Sequence, residues 1–342
     1  MKISANECQW IELLPKVELH LHLEGAIPYD ALWELIQKYG GDPALPDLDS
    51  LRQKLTYRDF SHFIDTWVWK NSFLREYDDF TFIAEAVARD LVKQNIRYAE
   101  VFYSPRDFAR HGLESQKLTE AIRSGLSQVD DIEVKLVVDL IRDFGPQKGR
   151  ETLLEINEVR DLGVIGVGIG GSEQLYPPEV FAPVYESARE LGFRTNAHAG
   201  EAAGPQSVWG AIQVLRVDRI GHGTRAVEDT QLVEHLAATQ IPVELNPLSN
   251  VATGVVASLA EHPTKNYLDR GVLVCVNTDD PRMFHNSLVD EFVGLREHLG
   301  ISITDVQTLI LNGVRASWLD DERKAQMLEE FQSHPAWNSC SQ

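Results

Sequence analysis

Short runs rich in β-branched residues alternate along the chain with segments whose apolar residues recur at helical spacing. Each run has the length of a buried strand. Eight strands alternating with helices predict an α/β fold, a (β/α)8 TIM barrel, which we expect to form one domain over residues 1–342. The eight runs are 17-VELHLH-22, 96-IRYAEVFY-103, 133-EVKLVVDL-140, 164-VIGVGI-169, 193-FRTNAHA-199, 217-VDRIGH-222, 241-IPVELNP-247 and 272-VLVCVN-277.

Two of the intervening segments carry clear helix signals. The segment 177-PPEVFAPVYESARELG-192 opens on prolines and closes on glycine, as a helix does. The segment 228-EDTQLVEHLAATQ-240 places four apolar residues on one stripe. Those residues are Leu232, Val233, Leu236 and Ala237.

Residues 28–95 contain more helical pattern than one crossover needs. We interpret them as a helical insertion after the first strand, packed over the mouth of the barrel. An alternative is that these helices only thicken the core, because large aromatic residues are usually buried. The aromatic residues concerned are Phe60, Phe63, Trp67, Trp69, Phe73, Phe80 and Phe82.

Composition is that of a globular protein, with 43% hydrophobic and 25% charged residues among 342. The formal net charge of −20 argues against binding nucleic acid, since no local cluster of basic residues offsets it. No long apolar run or leader-like N-terminus is present, so we expect a cytoplasmic protein with no membrane partner. The sequence does not indicate the oligomeric state.

Residues that bind metals stand where several predicted strands end. In a barrel of this class the chemistry lies at the carboxyl ends of the strands. Taken alone, an H-x-H motif like that of His20 and His22 often represents two surface histidines on an edge strand. Here further histidines and carboxylates end three other strands, which favours a metal site instead. They are His198 in 196-NAHAGE-201, His222 in 219-RIGHGT-224, and Asp279 and Asp280 in 276-VNTDDP-281.

Three imidazoles and a carboxylate suit zinc, with one position left open for water. Cysteine does not contribute a zinc site, because Cys8, Cys275 and Cys340 form no CxxC pair. The remaining histidines fall in predicted helices or loops, where we expect solvated or capping roles. They are His62, His111, His235, His262, His285, His298 and His334.

The motifs HLHLEGA, HAGE, RIGHGT and NTDDP, in this order, resemble the adenosine and adenine deaminase branch of the amidohydrolase superfamily. This resemblance implies a hydrolytic deaminase of a 6-aminopurine with one Zn²⁺ per chain. The implied zinc ligands are His20, His22, His198 and Asp279. It also implies that Glu201 protonates the purine N1, that His222 orients the attacking water, and that Asp280 contacts N7. The residues expected around the substrate are His22, Glu24, Gly171 and Asp280.

The chemistry of Glu201 agrees with that role, because a carboxylate three residues past His198 is placed to exchange protons. An alternative is a carboxylate that only stabilises a helix N-terminus. His222, beside the metal, would act as a base or stabilise the hydroxide. Asp280, next to Asp279, would be protonated or accept a hydrogen bond from the ligand.

Two stretches bear on the substrate. Glu24 stands where adenosine deaminases usually carry Asp and adenine deaminases carry Glu. The loop 166-GVGIGGSE-173 shares features with both, and its glycines either let the Gly171 N–H approach the purine N3 or simply form a tight exit from the strand. The retained Thr253 and Gly254 favour a nucleoside. We therefore predict adenosine or a 5′-modified adenosine such as 6-aminodeoxyfutalosine, with free adenine as the alternative.

Two functions outside this branch compete with deamination. Another metal-dependent barrel hydrolase would usually need a second metal and a bridging lysine, and 164-VIGVGI-169 contains no lysine. An inactive zinc-binding protein would be expected to have lost Glu201, His222 or Asp280, and all three are present.

Overall fold

The computed structural model describes residues 2–57 and 60–341, and eight parallel strands form its centre. Each strand pairs with the next along the chain, and the (β/α)8 barrel predicted from the sequence is confirmed. The strands are β1 Lys16–His22, β2 Ile96–Tyr103, β3 Glu133–Asp139, β4 Val164–Gly168, β5 Arg194–Ala199, β6 Arg219–His222, β7 Val243–Leu245 and β8 Val274–Val276.

The barrel is closed next to the predicted metal ligands. Leu21 in β1 pairs in parallel with Asp279, just past β8. The His22 N–H donates to the Asp279 carbonyl at 2.9 Å, and the Asp279 N–H donates to the His20 carbonyl at 2.9 Å. The backbone therefore fixes the first and last predicted ligand segments against each other.

Several strands are shorter than their apolar runs predicted. β7 begins at Val243 because Pro242 has no N–H to give to a sheet. β6 begins at Arg219, and Asp218 before it is joined to β5 through its carboxylate, which accepts the Thr195 N–H at 2.8 Å. The predicted helix at 177–192 is also divided, into a 3₁₀ turn over Pro178–Phe181 and a helix that begins at Ala182.

Helices surround the strands and follow most of them. α1 and α2–α5 precede β2, and the others lie between or after later strands. Their bounds are α1 Ala5–Leu13, α2 Tyr29–Lys38, α3 Leu48–Lys54, α4 Phe60–Asn71, α5 Tyr77–Lys93, α6 Ser115–Leu126, α7 Gly145–Asn157, α8 Ala182–Glu190, α9 Pro205–Gly210, α10 Thr230–Thr239, α11 Pro247–Ala252, α12 Thr264–Asp269, α13 Pro281–Phe284, α14 Leu288–Leu299, α15 Ile303–Ala316 and α16 Asp321–Ser333.

The insertion after β1 contains α2–α5, and its aromatic residues serve both predicted purposes. Phe80 is buried against Phe108, with ring centroids 4.7 Å apart. Phe63 stacks on Phe284, which follows β8, at 5.7 Å, so part of the insertion covers the mouth of the barrel. The side chain of Phe60 lies outside the described residues. In the described ranges, no helix combines the length and apolar character needed to cross a membrane.

Candidate metal centre and active site

The histidines that end β1, β5 and β6 converge at the carboxyl end of the barrel. One ligand atom from each of His20, His198, His222 and Asp279 lies within 4.8 Å of the others. All four side chains are buried, and His22 from β1 lies beside them. The structure therefore brings together the residues that the strand-end pattern selected.

The spacing of the ligand atoms suits one tetrahedral metal. His198 Nε2 lies 3.1 Å from His20 Nε2 and 3.2 Å from His22 Nε2. Asp279 Oδ1 lies 3.5 and 3.4 Å from the same two atoms. Bonds of about 2.0–2.1 Å in tetrahedral geometry separate ligand atoms by roughly 3.4 Å. These four residues fit zinc, whereas His222 Nε2 stands farther from Asp279, at 3.9 Å from its Oδ2.

Charge at this centre also favours a cation. Burial lowers the pKa of His20, but the carboxylates of Asp279 and Glu244 outweigh it and raise that pKa to about 10. Burial lowers the pKa of His22 to about 4 and that of His222 to about 3. A divalent ion placed among neutral imidazoles would satisfy the negative charge that otherwise holds a proton on His20.

Two of these residues have strained backbone conformations. His222 has φ of 61° and Asp279 has φ of 65°, in the left-handed region that few residues other than glycine adopt. Strain of this kind persists only where the surrounding structure enforces it, and it is concentrated at functional sites. Here it turns both side chains toward the same point.

Two further residues, which the sequence pattern did not reveal, hold the predicted ligands by hydrogen bonds. Glu244 Oε2 in β7 lies 2.8 Å from His20 Nδ1. The Ser249 hydroxyl donates to Asp279 Oδ2 at 2.6 Å. Partners of this type fix the orientation of a metal ligand. A signal was available for Glu244, since a carboxylate inside the apolar run 241-IPVELNP-247 needs a buried partner.

Asn250 contacts His222 on the side that faces away from the predicted metal ligands. Asn250 Nδ2 lies 3.1 Å from His222 Nδ1, and Asn250 Oδ1 lies 3.2 Å from His262 Nε2. His262 is not solvated, because its side chain is buried behind Asn250, but it does stand at the C-cap of the 3₁₀ turn Leu259–Glu261. Its position in a loop gave no sign of that burial.

Glu201 stands beside His222 rather than in the ligand cluster. Its Oε2 lies 3.6 Å from His222 Nε2, and 22% of the side chain is exposed. Burial, together with the charges of Asp279 and Glu173, raises the pKa of Glu201 to about 8. A carboxyl group in that range can exchange a proton near neutral pH. Glu173, which the sequence analysis assigned no role, accepts hydrogen bonds from the backbone around Glu201.

Asp280 is buried beside the turn that follows β1. A Cβ on Gly25 would lie 1.7 Å from Asp280 Oδ1, so only glycine permits this approach. Burial and the charge of Asp279 raise the pKa of Asp280 well above its usual range. Within the described part of the chain, Asp280 Oδ1 has no hydrogen-bond partner, which leaves it available to a ligand.

Glu24 lies in the same turn, and the insertion covers it. Its Oε1 accepts the Ser104 N–H at 3.0 Å, while Oε2 is buried with no partner among the described residues. Lys70 from α4 donates to the Glu24 carbonyl at 2.5 Å and to Asn71 Oδ1 at 2.7 Å. Burial raises the pKa of Glu24 to about 7. A ligand that reaches Oε2 would supply its missing hydrogen bond.

Gly171 lies in the loop after β4 and has φ of 95°. A Cβ there would meet Asp143 Oδ2 at 2.3 Å, so both the conformation and the space require glycine. Ser172 fixes the loop, because its N–H and hydroxyl donate to Asp143 at 2.9 and 2.6 Å. For the residues that the structure describes, no hydrogen bond uses the Gly171 N–H.

Comparison with known proteins gives a consistent result. A family profile described as adenosine deaminase matches residues 15–334. An adenine deaminase from Bordetella avium is 36% identical over 308 residues, covering 89% of this chain and 97% of that protein. An aminodeoxyfutalosine deaminase from Streptomyces coelicolor is 34% identical over 328 residues, covering 94% of this chain and 85% of that protein.

A solved structure agrees over the whole chain. An amidohydrolase from Burkholderia ambifaria, crystallised with bound zinc, superposes with a TM-score of 0.91 at 28% sequence identity. The match covers 100% of this chain and 95% of that one. The insertion and the strand-end loops therefore fall inside the shared architecture.

Proposed function

Because this chain belongs to the adenosine deaminase family, whose members are hydrolases of C–N bonds, we propose that it deaminates a 6-aminopurine nucleoside. Water would replace the 6-amino group, giving the 6-oxo product and ammonia. The observation that carries this proposal is the placement of Glu201 3.6 Å from His222, which in turn lies 3.9 Å from Asp279. A carboxyl group, an imidazole and the His/Asp cluster thus lie close together, which supports this reaction.

One Zn²⁺ per chain would be held by His20, His22, His198 and Asp279, whose spacing fits tetrahedral coordination. The zinc-bound amidohydrolase relative supports this assignment. When bound, the metal supplies a water nucleophile of lowered pKa. Iron would suit the same donors, because imidazole binds iron as well as zinc, whereas manganese prefers oxygen ligands.

The remaining site residues would act on the purine and the water. Glu201 would protonate N1, which makes C6 electron-poor enough for the water oxygen to add. His222, held by Asn250, would orient that water and receive its proton. Asp280, with a raised pKa and a free Oδ1, would hydrogen-bond N7. His222 would then give the proton taken from the water to the amino group, and the C6–N bond would break as ammonia leaves. The remaining hydroxyl proton would pass to Glu201 as the 6-oxo group forms.

A nucleoside suits the carboxylates of Glu24, Asp107 and Asp139, which stand at or just past the carboxyl ends of β1, β2 and β3. After burial, the larger cause, the charge of Asp107 contributes to the raised pKa of both Glu24 and Asp139. Burial raises the pKa of Asp139 to about 6, and its Oδ2 borders Gly170 beside His198. Carboxylates accept sugar hydroxyls and repel phosphate. The expected substrate is therefore uncharged at the 5′ position or extended there by a group other than phosphate, as in adenosine or 6-aminodeoxyfutalosine.

Free adenine is the second candidate. Glu24 favours it, because an acceptor with an unused Oε2 could receive N9–H of the base. The name of the Bordetella relative points the same way. The Gly171 N–H would meet N3 in either substrate and does not distinguish them.

A substrate screen decides between the candidates. Ammonia release would be measured with zinc-loaded protein on adenosine, 2′-deoxyadenosine, 6-aminodeoxyfutalosine, adenine and adenosine 5′-monophosphate. We expect the highest kcat/KM for a nucleoside and the lowest for the monophosphate. A preference for adenine would indicate that Glu24 binds N9–H of the base. A preference for the monophosphate would contradict the proposed role of the carboxylates.

Glu201→Gln tests the reaction itself. The variant keeps its shape but cannot deliver a proton, so kcat should fall by about 10²–10⁴-fold. Zinc content should not change, because Glu201 is not among the proposed ligands. Loss of zinc would place Glu201 in the coordination shell, and turnover within about tenfold of the unmodified enzyme would mean that the proton comes from elsewhere.

A further inference from the structure

Glu173, in the loop after β4, makes an unusual set of contacts. Its side chain is buried, with 3% exposed, and it faces the loop that follows β5. One carboxylate oxygen accepts the Gly200 N–H at 2.6 Å. The other accepts the N–H groups of Glu201, Ala202 and Ala203 at 3.1, 2.8 and 2.9 Å. Four consecutive backbone donors thus converge on one carboxylate.

Consecutive N–H groups that point to one side form a concave binding site for an anion. In this chain the anion is a side chain of the protein. Gly200, with φ of 74°, turns the backbone so that the four groups face Glu173. Bonds to a carboxylate are roughly twice as strong as those between neutral groups, so the charge holds this turn in place.

The turn is also fixed at its other end, next to the predicted metal ligand His198. Arg142 donates to the His198 carbonyl and, at 2.8 Å, to the Tyr176 carbonyl. Because Tyr176 follows Glu173 by three residues, Arg142 and Glu173 hold the loop after β4 against the end of β5 at two points. The backbone of Glu201 belongs to the second of these points, because its own N–H donates to Glu173.

We propose that Glu173 is a positioning residue that sets where Glu201 stands relative to the purine. The proposal rests on the proton-donating role of Glu201 given under Proposed function. Glu173 does not contact His20, His22, His198 or Asp279 through any described hydrogen bond, so its effect reaches the reaction through Glu201. Displacement of an acting group by about 1 Å can cost on the order of 10²-fold in rate.

Glu173→Gln is the first test. The amide keeps the size of the side chain, but its NH₂ would face backbone donors and one acceptor oxygen would be lost. We expect kcat to fall by about 10–100-fold with KM within about threefold and zinc content unchanged. Glu173→Asp keeps the charge and should recover part of kcat. A kcat within about threefold of the unmodified enzyme would overturn the proposal.

Hydrogen exchange gives a readout that does not depend on turnover. The amides of residues 200–203 should exchange faster in Glu173→Gln than in the unmodified protein, because their acceptor is weakened. Unchanged exchange at these amides, with kcat reduced, would mean that Glu173 acts by another route, and the proposal would fall.

Asp79→Asn provides a matched control. Asp79 is also a buried carboxylate that accepts two backbone N–H groups, those of Arg75 and Glu76 at 2.8 and 3.0 Å, but it lies at the start of α5. Asp79→Asn should lower the melting temperature while leaving kcat within about twofold. If it reduces kcat as much as Glu173→Gln does, general destabilisation explains both effects and positioning is rejected.

A double-mutant cycle separates this proposal from the one it rests on. In the Glu201→Gln background, Glu173→Gln should reduce kcat by no more than about threefold, since the group that it positions is already inactive. If Glu173→Gln reduces kcat in the Glu201→Gln background as much as it does alone, positioning through Glu201 would be refuted. If Glu201→Gln alone retains activity within about tenfold, the fault lies instead with the role proposed for Glu201.

Discussion

The two ends of the barrel interior treat buried charge in opposite ways. Toward the amino ends of the strands, Arg219 forms ion pairs with Glu100 and Glu244, both at 2.5 Å, and stacks on Trp318 at 3.6 Å. Lys16 nearby donates to three backbone carbonyls at 2.6–3.1 Å. Both side chains therefore have ion-pair or hydrogen-bond partners in the protein, although Arg219 Nε and Nη2 meet their carboxylates without hydrogen-bond geometry among the described residues.

At the carboxyl ends some buried polar atoms have neither an ion pair nor a hydrogen bond among the described residues. Glu24 Oε2 and Asp280 Oδ1 are buried and have no hydrogen-bond partner within the described ranges. The imidazoles of His20, His22 and His198 approach one another without a carboxylate for each. Burial of such groups costs free energy unless something compensates for it.

The residues that stabilise the fold and the residues of the proposed active site therefore lie at different ends of the same barrel. The amino-terminal end uses charge to hold the strands together, while the carboxyl-terminal end leaves charge and hydrogen-bonding capacity for a metal and a substrate. Glu244 belongs to both regions, because one of its oxygens pairs with Arg219 and the other lies against His20. Three substitutions test how far the separation holds.

His198→Ala should have the largest effect. It removes an imidazole from the centre of the ligand cluster, so zinc should be lost and kcat/KM should fall by at least about 10³-fold. Metal analysis and ammonia release on the purified variant measure both quantities. His298→Ala, at an exposed position in α14, is the control and should keep both. Full zinc occupancy in His198→Ala would remove that residue from the site.

Arg219→Met should mainly affect stability. It leaves Glu100 and Glu244 buried without their cation, which typically costs about 3–5 kcal/mol in the free energy of unfolding. Denaturant unfolding measures the change. Arg225→Met, which breaks an exposed pair with Glu228, should cost at most about 1 kcal/mol. Equal losses in the two variants would contradict a special role for the interior pair.

Glu244→Gln should have the smallest effect and acts where the two regions meet. Weakening the partner of His20 Nδ1 should reduce zinc affinity by about 10–100-fold, as is usual for residues that orient metal ligands. A chelator competition measures this affinity. Glu100→Gln is the matched control, because it contacts Arg219 but not His20, and its zinc affinity should change by less than about threefold. Equal losses would mean that both act through general stability.

The sequence predicted the architecture because a parallel barrel gives every strand the same environment. A short apolar run therefore marks each of the eight strands, and polar residues such as His198 and His222 are conspicuous where the runs end. Strand lengths were less predictable, because they depend on local partners such as Asp218 with Thr195. Local pattern also failed for His262, whose burial depends on the packing of Asn250 against it.

The contacts that orient the site were the hardest to anticipate. Glu173 meets residues 200–203 only because β4 and β5 are neighbours, and nothing in the loop 166-GVGIGGSE-173 indicates that partner. A carboxylate inside a strand, such as Glu244, signals a buried contact but not which residue it meets. Distances in three dimensions, rather than spacing along the chain, select these partners.

The backbone pairing of Leu21 with Asp279 has a consequence for biosynthesis. β1 emerges from the ribosome early, whereas Asp279 is added about 10–50 s later at usual rates of translation. Until then the two histidines of β1 have no carboxylate ligand beside them and no last strand to close against. Barrel closure and completion of the ligand set therefore coincide, because the His22 N–H and the Asp279 N–H form their bonds in the same pairing. We therefore expect the set of predicted metal ligands to be complete only after Asp279 has been translated.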